Sequence, residues 1–242
     1  MGLLTEHRFE EAVCQYGDEL QQEPNDAALW ADYSKALLCL GRFPEALAGY
    51  QRANTLANLR DFGCRDPFLE HAGTVQWLLG DRTAAIRTLT EAVDGIQRGT
   101  IKYADQAGGA TPGLLLWYMG VTARCDAAVA HVEKYLRKLA KKPKIQYWPG
   151  PAVQFVLGGA AFEQMRDADV QMAGLDLPGL LGKAGEDLFT RRHAVQALFY
   201  QAAKHRHDGL EDECLSTMRI CAGLKNPVIE LEWFLARAEA RA

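Results

Sequence analysis

Apolar residues recur at intervals of three and four along most of this chain. Trp30, Tyr33, Leu37 and Leu40 form one such stripe, with polar or small residues between them. This spacing is typical of one face of an α-helix, whereas the alternation of apolar and polar residues that indicates a strand is nowhere sustained. The pattern therefore predicts an all-α fold.

One short pattern occurs twice near the start of the chain. "FEEAVCQY" at 9–16 and "FPEALAGY" at 43–50 carry the same three residue types, which recur 34 residues later as Phe43, Ala46 and Tyr50. A fixed period of this length predicts stacked helical hairpins. Small residues such as Ala46 would let the two helices of a hairpin approach each other closely.

This stretch resembles the tetratricopeptide repeat family. It departs from the family at Tyr33-Ser34, where the family favours Leu-Gly. Residues 66–93 look like a second copy, with Gly73 in the small-residue position and Gly80 at the turn. The resemblance is carried in the first copy by Trp30, Gly41, Phe43, Ala46, Tyr50 and Ala53, and in the second also by Ala85 and Ala92.

The resemblance is specific over about 5–95 and partial over 188–225. It implies a right-handed superhelix of stacked antiparallel helical hairpins, a TPR-like α-solenoid with a C-terminal capping helix. A single TPR-like helical repeat domain over 1–242 is expected.

Helical spacing continues outside the resemblance. It predicts a helix pair at 114–125 and 126–142 with Gly120 as a small contact residue, and a helix over 151–168 in which "GGAA" allows close packing. The remaining expectations are a loop at 107–113, an irregular segment or short helix at 172–187, a helix at 188–206, a helix carrying Cys214, Met218 and Cys221, and a terminal helix from Asn226-Pro227 with its charged face outward.

Composition narrows the choice of environment and partner. The net charge of −4 argues against a general polyanion binder, although a local basic patch is compatible with it. No apolar run is long enough for a membrane span, and the start lacks the apolar core of a signal peptide. The six cysteines form no C-x-x-C pair, which favours free thiols. A cytoplasmic protein is expected.

Motifs for catalysis or cofactors are not found. Gly182-Lys183 is followed by Ala184 rather than the Ser or Thr of a phosphate loop. His205 and His207 lie beside Asp208, but two imidazoles without a second cluster are more typical of a solvated helix end than of a metal site. We therefore expect no enzyme activity, no cofactor and no metal.

The resemblance implies a binding function instead. A stack of hairpins has a concave groove lined by the first helix of each pair, which would hold a partner protein or its terminal peptide. For the aromatic residues Trp117 and Tyr118, burial in the core is the alternative to partner contact. Helical spacing places near the groove Asp32, Lys35, Glu70, His71, Thr74, Trp117, Tyr118, Arg124, Tyr200 and Arg206.

The kind of partner is left open by the sequence. Small bacterial repeat proteins of this build resemble immunity proteins, which suggests a cognate toxin domain as the partner. Such a domain would be basic if the groove is acidic. A homo-oligomer built through the aromatic-rich middle of the chain is another possibility.

A basic and aromatic segment at 134–148 offers a second candidate site. Lys141, Lys142, Tyr147 and Trp148 lie in it, and six of its first eleven residues are basic. It reads either as a connector between two helices, closed by Trp148, or as a patch for an acidic partner surface. The alternative function is binding of single-stranded RNA through phosphate contacts and base stacking, although nucleic acid is the less expected partner.

Overall fold

All secondary structure in the described part of the chain is helical. The computed structural model describes residues 2–59, 68–102, 105–228 and 230–241, and it contains fourteen α-helices and one 3₁₀ helix in these ranges. The all-α prediction is confirmed. The chain divides into two compact units, Met1–Tyr103 and Ala104–Ala242. The expected superhelix and the single domain over 1–242 stay predictions, and each unit is described by itself.

The first unit consists of helices packed against their neighbours in chain order. Contacts join α2 to α3, α3 to α4, α4 to α5 and α5 to α6. Two consecutive hairpins result, α3–α4 and α5–α6, as the repeat pattern predicts. The helices are α1 (Gly2–Thr5), α2 (Phe9–Gln22), α3 (Ala27–Cys39), α4 (Phe43–Leu59), α5 (Leu69–Leu78) and α6 (Arg82–Arg98).

Local sequence signals fix the ends of these helices. The carboxylate of Asp26 accepts hydrogen bonds from the backbone N–H groups of Ala28 and Leu29 at the start of α3. Gly41 and Gly80 lie in the two hairpin turns with φ of 76° and 86°. Because only glycine adopts this left-handed conformation at little cost, both turns form where the sequence predicted them.

Small residues hold the hairpins close. A Cβ atom on Gly49 would lie 2.0 Å from Oγ of Ser34, and one on Gly73 would lie 3.0 Å from Cγ of Leu89. Gly73 therefore occupies a tight contact as predicted. Ser34 fits at this contact because Gly49 on the facing helix leaves room for its hydroxyl.

The second unit is organised around α12, its longest helix. This helix packs against α7, α9, α10, α11, α13 and α14. The helices are α7 (Ala110–Thr122), α8 (Asp126–Leu139), α9 (Gly150–Val156), α10 (Phe162–Asp167), α11 (Leu177–Glu186), α12 (Leu188–His207), α13 (Glu211–Gly223) and α14 (Leu231–Glu239), with a 3₁₀ helix at Pro143–Gln146.

The pair α7–α8 confirms the predicted contact at Gly120. A Cβ there would lie 3.0 Å from Cγ2 of Val129 on α8. The loop expected over 107–113 is shorter than predicted, because α7 already begins at Ala110. Asp105 stabilises the first turn of α7, because its carboxylate accepts hydrogen bonds from the N–H groups of Gly109 and Thr111.

The single helix predicted over 151–168 is wrong. The helix ends at Val156 and a new one begins at Phe162. Gly158 has φ of 75°, which ends the helix, and Gly158 and Gly159 are exposed rather than closely packed. Two adjacent glycines favour a break because they carry the highest conformational cost inside a helix.

The last helix begins later than expected, and only part of its charge lies on an outer face. It begins at Leu231, four residues after Pro227. All of Leu231–Ala236 is buried, and Glu232 is only 1% exposed. The charged surface predicted here is therefore partly core. None of the helices seen in the described ranges is both long and apolar enough to cross a bilayer.

Candidate functional site

A polar surface on α3 and α5 brings together five of the predicted groove residues. Asp32 and Lys35 lie one turn apart on α3 and form an ion pair of 2.9 Å. Glu70, His71 and Thr74 lie on the first two turns of α5. The Lys35 ammonium contributes to the lowered pKa of His71 on the other helix. We call these five residues the α3–α5 polar surface.

The α3–α5 polar surface is only partly open to solvent. The side chains of Lys35, Glu70 and His71 are 16%, 14% and 17% exposed, and that of Asp32 is 36% exposed. Thr74 is fully buried. The prediction that Thr74 is free for a partner is therefore corrected, because it lies on the side of α5 that faces the core.

Buried polar atoms without hydrogen-bond partners lie directly behind this surface. They are the hydroxyls of Tyr50 and Thr74 and Nδ1 of His71. The rings of Tyr50 and His71 lie 4.9 Å apart. A buried polar group left without a partner costs roughly 1–3 kcal/mol, so this place gives up folding stability. Unsatisfied groups of this kind are rare in folded proteins and call for an explanation.

The electrostatics of the surface follow from burial. Desolvation, with a smaller contribution from Lys35, lowers the pKa of His71 to about 3, so its imidazole is neutral at neutral pH. Desolvation also raises the pKa of the Tyr50 hydroxyl well above its usual range, helped by nearby acidic groups that include Asp32 and Glu70. An imidazole with so low a pKa is a poor general base, and a neutral phenol is a poor nucleophile. The chemistry that suits these groups is hydrogen bonding.

Tyr50 was missed as a member of this site. The repeat pattern assigns it to hairpin packing, and it is indeed fully buried. Its unsatisfied hydroxyl is the feature that links it to the site. The sequence contains no signal for this, because a Tyr and a Phe serve equally well as packing residues in a helix.

Three aromatic residues predicted near the groove lie in the core of the second unit. Trp117, Tyr118 and Tyr200 have no exposed surface. Tyr118 donates a hydrogen bond of 2.7 Å to Glu239. Their prediction as surface groups is corrected. For Trp117 and Tyr118 the alternative of core packing describes their position.

The two predicted arginines differ in availability. Arg124 is exposed in the turn after α7. Arg206 is held inside its unit, where it donates to Glu211, Glu239 and Thr122. Its guanidinium is 12% exposed, so Arg206 acts in the packing of α12 against α13 and α14 and is not presented to a partner.

The basic segment keeps most of its side chains in solvent. Lys141 and Lys142 are exposed, and Tyr147 is 51% exposed. Trp148 is half-buried. Its ring centroid lies 5.3 Å from that of His193, and its N–H donates to Gln196. Trp148 therefore closes the connector, as one of the two interpretations of the sequence has it, while the lysines and Tyr147 form a surface.

A buried polar cluster in the second unit was not predicted. Gln196 and Tyr200 both donate to Oε1 of Glu232, at 3.2 Å and 2.8 Å. Glu230, two residues earlier, pairs with Arg192. Desolvation, followed by repulsion from Glu230, raises the pKa of Glu232 to about 7.

Metal and disulfide chemistry find little support in the described ranges. No group of three or more His, Cys, Asp and Glu side chains there could hold a metal ion. Five cysteines are free thiols, of which Cys214 and Cys221 are buried and Cys14 is exposed. The sixth, Cys64, lies outside the described residues.

Comparison with known proteins adds no family to this picture. No protein-family model, no curated protein and no solved structure matches the chain.

Proposed function

We propose that this chain is a non-catalytic protein-binding module that holds a segment of a partner protein on the α3–α5 polar surface. The observation that carries the proposal is the set of charged side chains on α3 and α5, which are 14–36% exposed. Stacked hairpins with small residues at their contacts support a TPR-like repeat as the scaffold.

The charges of the surface suggest the chemistry of the partner. By formal charge, Asp32 and Glu70 are negative and Lys35 is positive, whereas the lowered pKa of His71 leaves its imidazole neutral. The sum is one negative charge, which complements a basic segment. An immunity protein that neutralises a basic toxin domain is one form of this proposal.

Binding fits the described groups better than acid–base catalysis does. A general base works best with a pKa near the working pH, whereas burial takes His71 far below it and Tyr50 far above. Hydrogen bonds and ion pairs to a bound segment are instead open to Asp32, Lys35 and Glu70, whose side chains reach solvent.

Site-specific crosslinking tests the proposal. A photoreactive amino acid, p-benzoylphenylalanine, replaces Asp32 on α3 in one variant and the exposed Glu91 on α6 in a matched control. After irradiation in the native cells, we expect one discrete crosslinked partner from position 32 and none from position 91. That partner, once purified, should bind the wild-type chain, and Asp32→Lys should weaken binding at least tenfold while Glu91→Lys leaves it unchanged.

The result that would overturn the proposal is equally definite. If both positions crosslink to the same proteins, or if Asp32→Lys and Glu91→Lys bind the purified partner equally well, the α3–α5 polar surface is not the binding site.

A further inference from the structure

A second charged surface lies in the other unit, at the end of α8. It consists of six basic residues, and we call it the basic shoulder. All six are exposed. The members are Lys134, Arg137, Lys138, Lys141, Lys142 and Lys144.

Helical spacing gathers part of the basic shoulder on one side. Arg137 and Lys138 lie three and four residues after Lys134, which places the three side chains along one face of α8. The opposite face of α8 is buried through Tyr135, Leu136 and Leu139. Lys134, Arg137 and Lys138 therefore lie on the solvent side of a helix that packs on the core, and Lys141, Lys142 and Lys144 follow its end.

Acidic residues are scarce in this stretch of the chain. Glu133 pairs with Arg137 at 3.1 Å, and no acidic residue occurs over 134–148. The negative end of the helix dipole stabilises cations only within the last turn. Six cations within eleven residues repel one another, and an external anionic surface would relieve that repulsion.

The surroundings of the basic shoulder favour one class of anion. Single-stranded nucleic acid is held by lysines together with a series of stacking aromatics. Trp148 is not available for stacking, since its ring lies against His193 and its N–H bonds Gln196. Tyr147 is the one exposed aromatic side chain within the segment 134–148.

An acidic protein segment makes smaller demands on the site. It needs cations over a short length and one apolar contact, both of which are present. We therefore infer that the basic shoulder docks an acidic segment of a partner protein, with an apolar side chain of that segment resting on Tyr147. This inference is independent of the α3–α5 polar surface, because it rests on other residues in the other unit.

Fluorescence anisotropy tests the inference on the full-length chain. The probes are a fluorescein-labelled peptide of Asp and Glu with one central Leu, the same peptide with Ala in place of Leu, and a labelled oligouridylate of equal charge. We expect the Leu peptide to bind most tightly, and its affinity to fall steeply with added salt.

Variants then locate the binding. Lys141→Glu/Lys142→Glu should lower the affinity for the Leu peptide at least tenfold. Tyr147→Ala should lower it about threefold and leave the affinity for the Ala peptide unchanged. The matched control is Arg219→Glu/Lys225→Glu, at two exposed cations elsewhere in the unit, which should have no effect.

Three outcomes would overturn the inference. They are tighter binding of oligouridylate than of the Leu peptide, equal losses in the control and in the Lys141/Lys142 variant, and absence of peptide binding at low salt. Circular dichroism of each variant separates loss of binding from loss of the fold.

Discussion

Replacing Glu232 by Gln should stabilise the second unit at alkaline pH. The Glu232 carboxyl is 1% exposed and accepts hydrogen bonds from Tyr200 and Gln196. A Gln side chain has the same shape and keeps an oxygen that accepts both bonds. The substitution therefore removes the buried charge and little else.

The magnitude follows from the pKa of Glu232. Burial and the neighbouring Glu230 raise it from 4.5 to about 7. A change of that size corresponds to about 3 kcal/mol, because each tenfold change in proton affinity is worth roughly 1.36 kcal/mol. The charges that face the cluster are Glu230 itself, paired with Arg192, and His193, which acts on Glu230. The Cys221 thiol nearby has a raised pKa and stays neutral.

The direction with pH is set by which state binds more protons. Between pH 4.5 and 7 the folded state keeps the Glu232 proton and the unfolded state has lost it. The contribution of Glu232 to stability is therefore fully present below pH 4.5, decreases as the pH rises to about 7, and stays lost above it. Glu232→Gln has no carboxyl at this position and should lack this decrease.

Urea unfolding between pH 4.5 and 8.5 provides the assay, with hydrogen exchange of α12 and α14 assigning the transition to the second unit. At pH 8 we expect Glu232→Gln to be more stable than the wild type by about 2–3 kcal/mol. At pH 4.5 the two should agree closely. The matched control Glu213→Gln, at an exposed site on α13, should follow the wild type. Parallel pH profiles for wild type and Glu232→Gln would refute the reasoning.

Three further predictions concern other packed sites. In Gly113→Ala, the new Cβ would lie 2.8 Å from Leu136 Cδ2. We therefore expect the free energy of unfolding, measured in urea, to fall by about 1–3 kcal/mol. An equal effect of Gly182→Ala, where the space is open, would contradict this. His71 has its pKa lowered from 6.5 to about 3, so the unfolded state takes up the proton first and stability falls as the pH drops below 6.5. Between pH 7.5 and pH 5, the free energy of unfolding of the first unit should therefore fall by roughly 2 kcal/mol less in His71→Phe than in the wild type. Equal decreases in the two proteins would show that His71 is not the cause. Arg206→Lys should lower the melting temperature, because a lysine cannot hydrogen-bond to Glu211, Glu239 and Thr122 at once. Arg219→Lys, at an exposed position, is the control. Equal melting temperatures of these two variants would contradict a structural role of Arg206.

Local sequence signals are enough to predict the hairpins and turns of the first unit. Helical periodicity, the repeat of 34 residues, and Gly41 and Gly80 located both hairpins, because helix formation and turn chemistry depend on residues close together in the chain. The same signals predict that Asp32, Lys35, Glu70 and His71 lie near one groove, and that remains a prediction. The unsatisfied polar atoms of Tyr50, His71 and Thr74 could not be predicted in this way, because their burial depends on how α3, α4 and α5 pack together.

Which helix faces are buried became clear only from contacts between distant parts of the chain. Periodicity shows that one face of a helix is apolar, but it does not show whether the other face meets water or another helix. Because α12 is surrounded by six other helices, Tyr200 and Gln196 are buried with it, and Glu232 of α14 is enclosed against them. A glutamate that the sequence assigns to a charged outer face thus becomes a buried carboxyl, because contacts between residues far apart in the chain set its exposure.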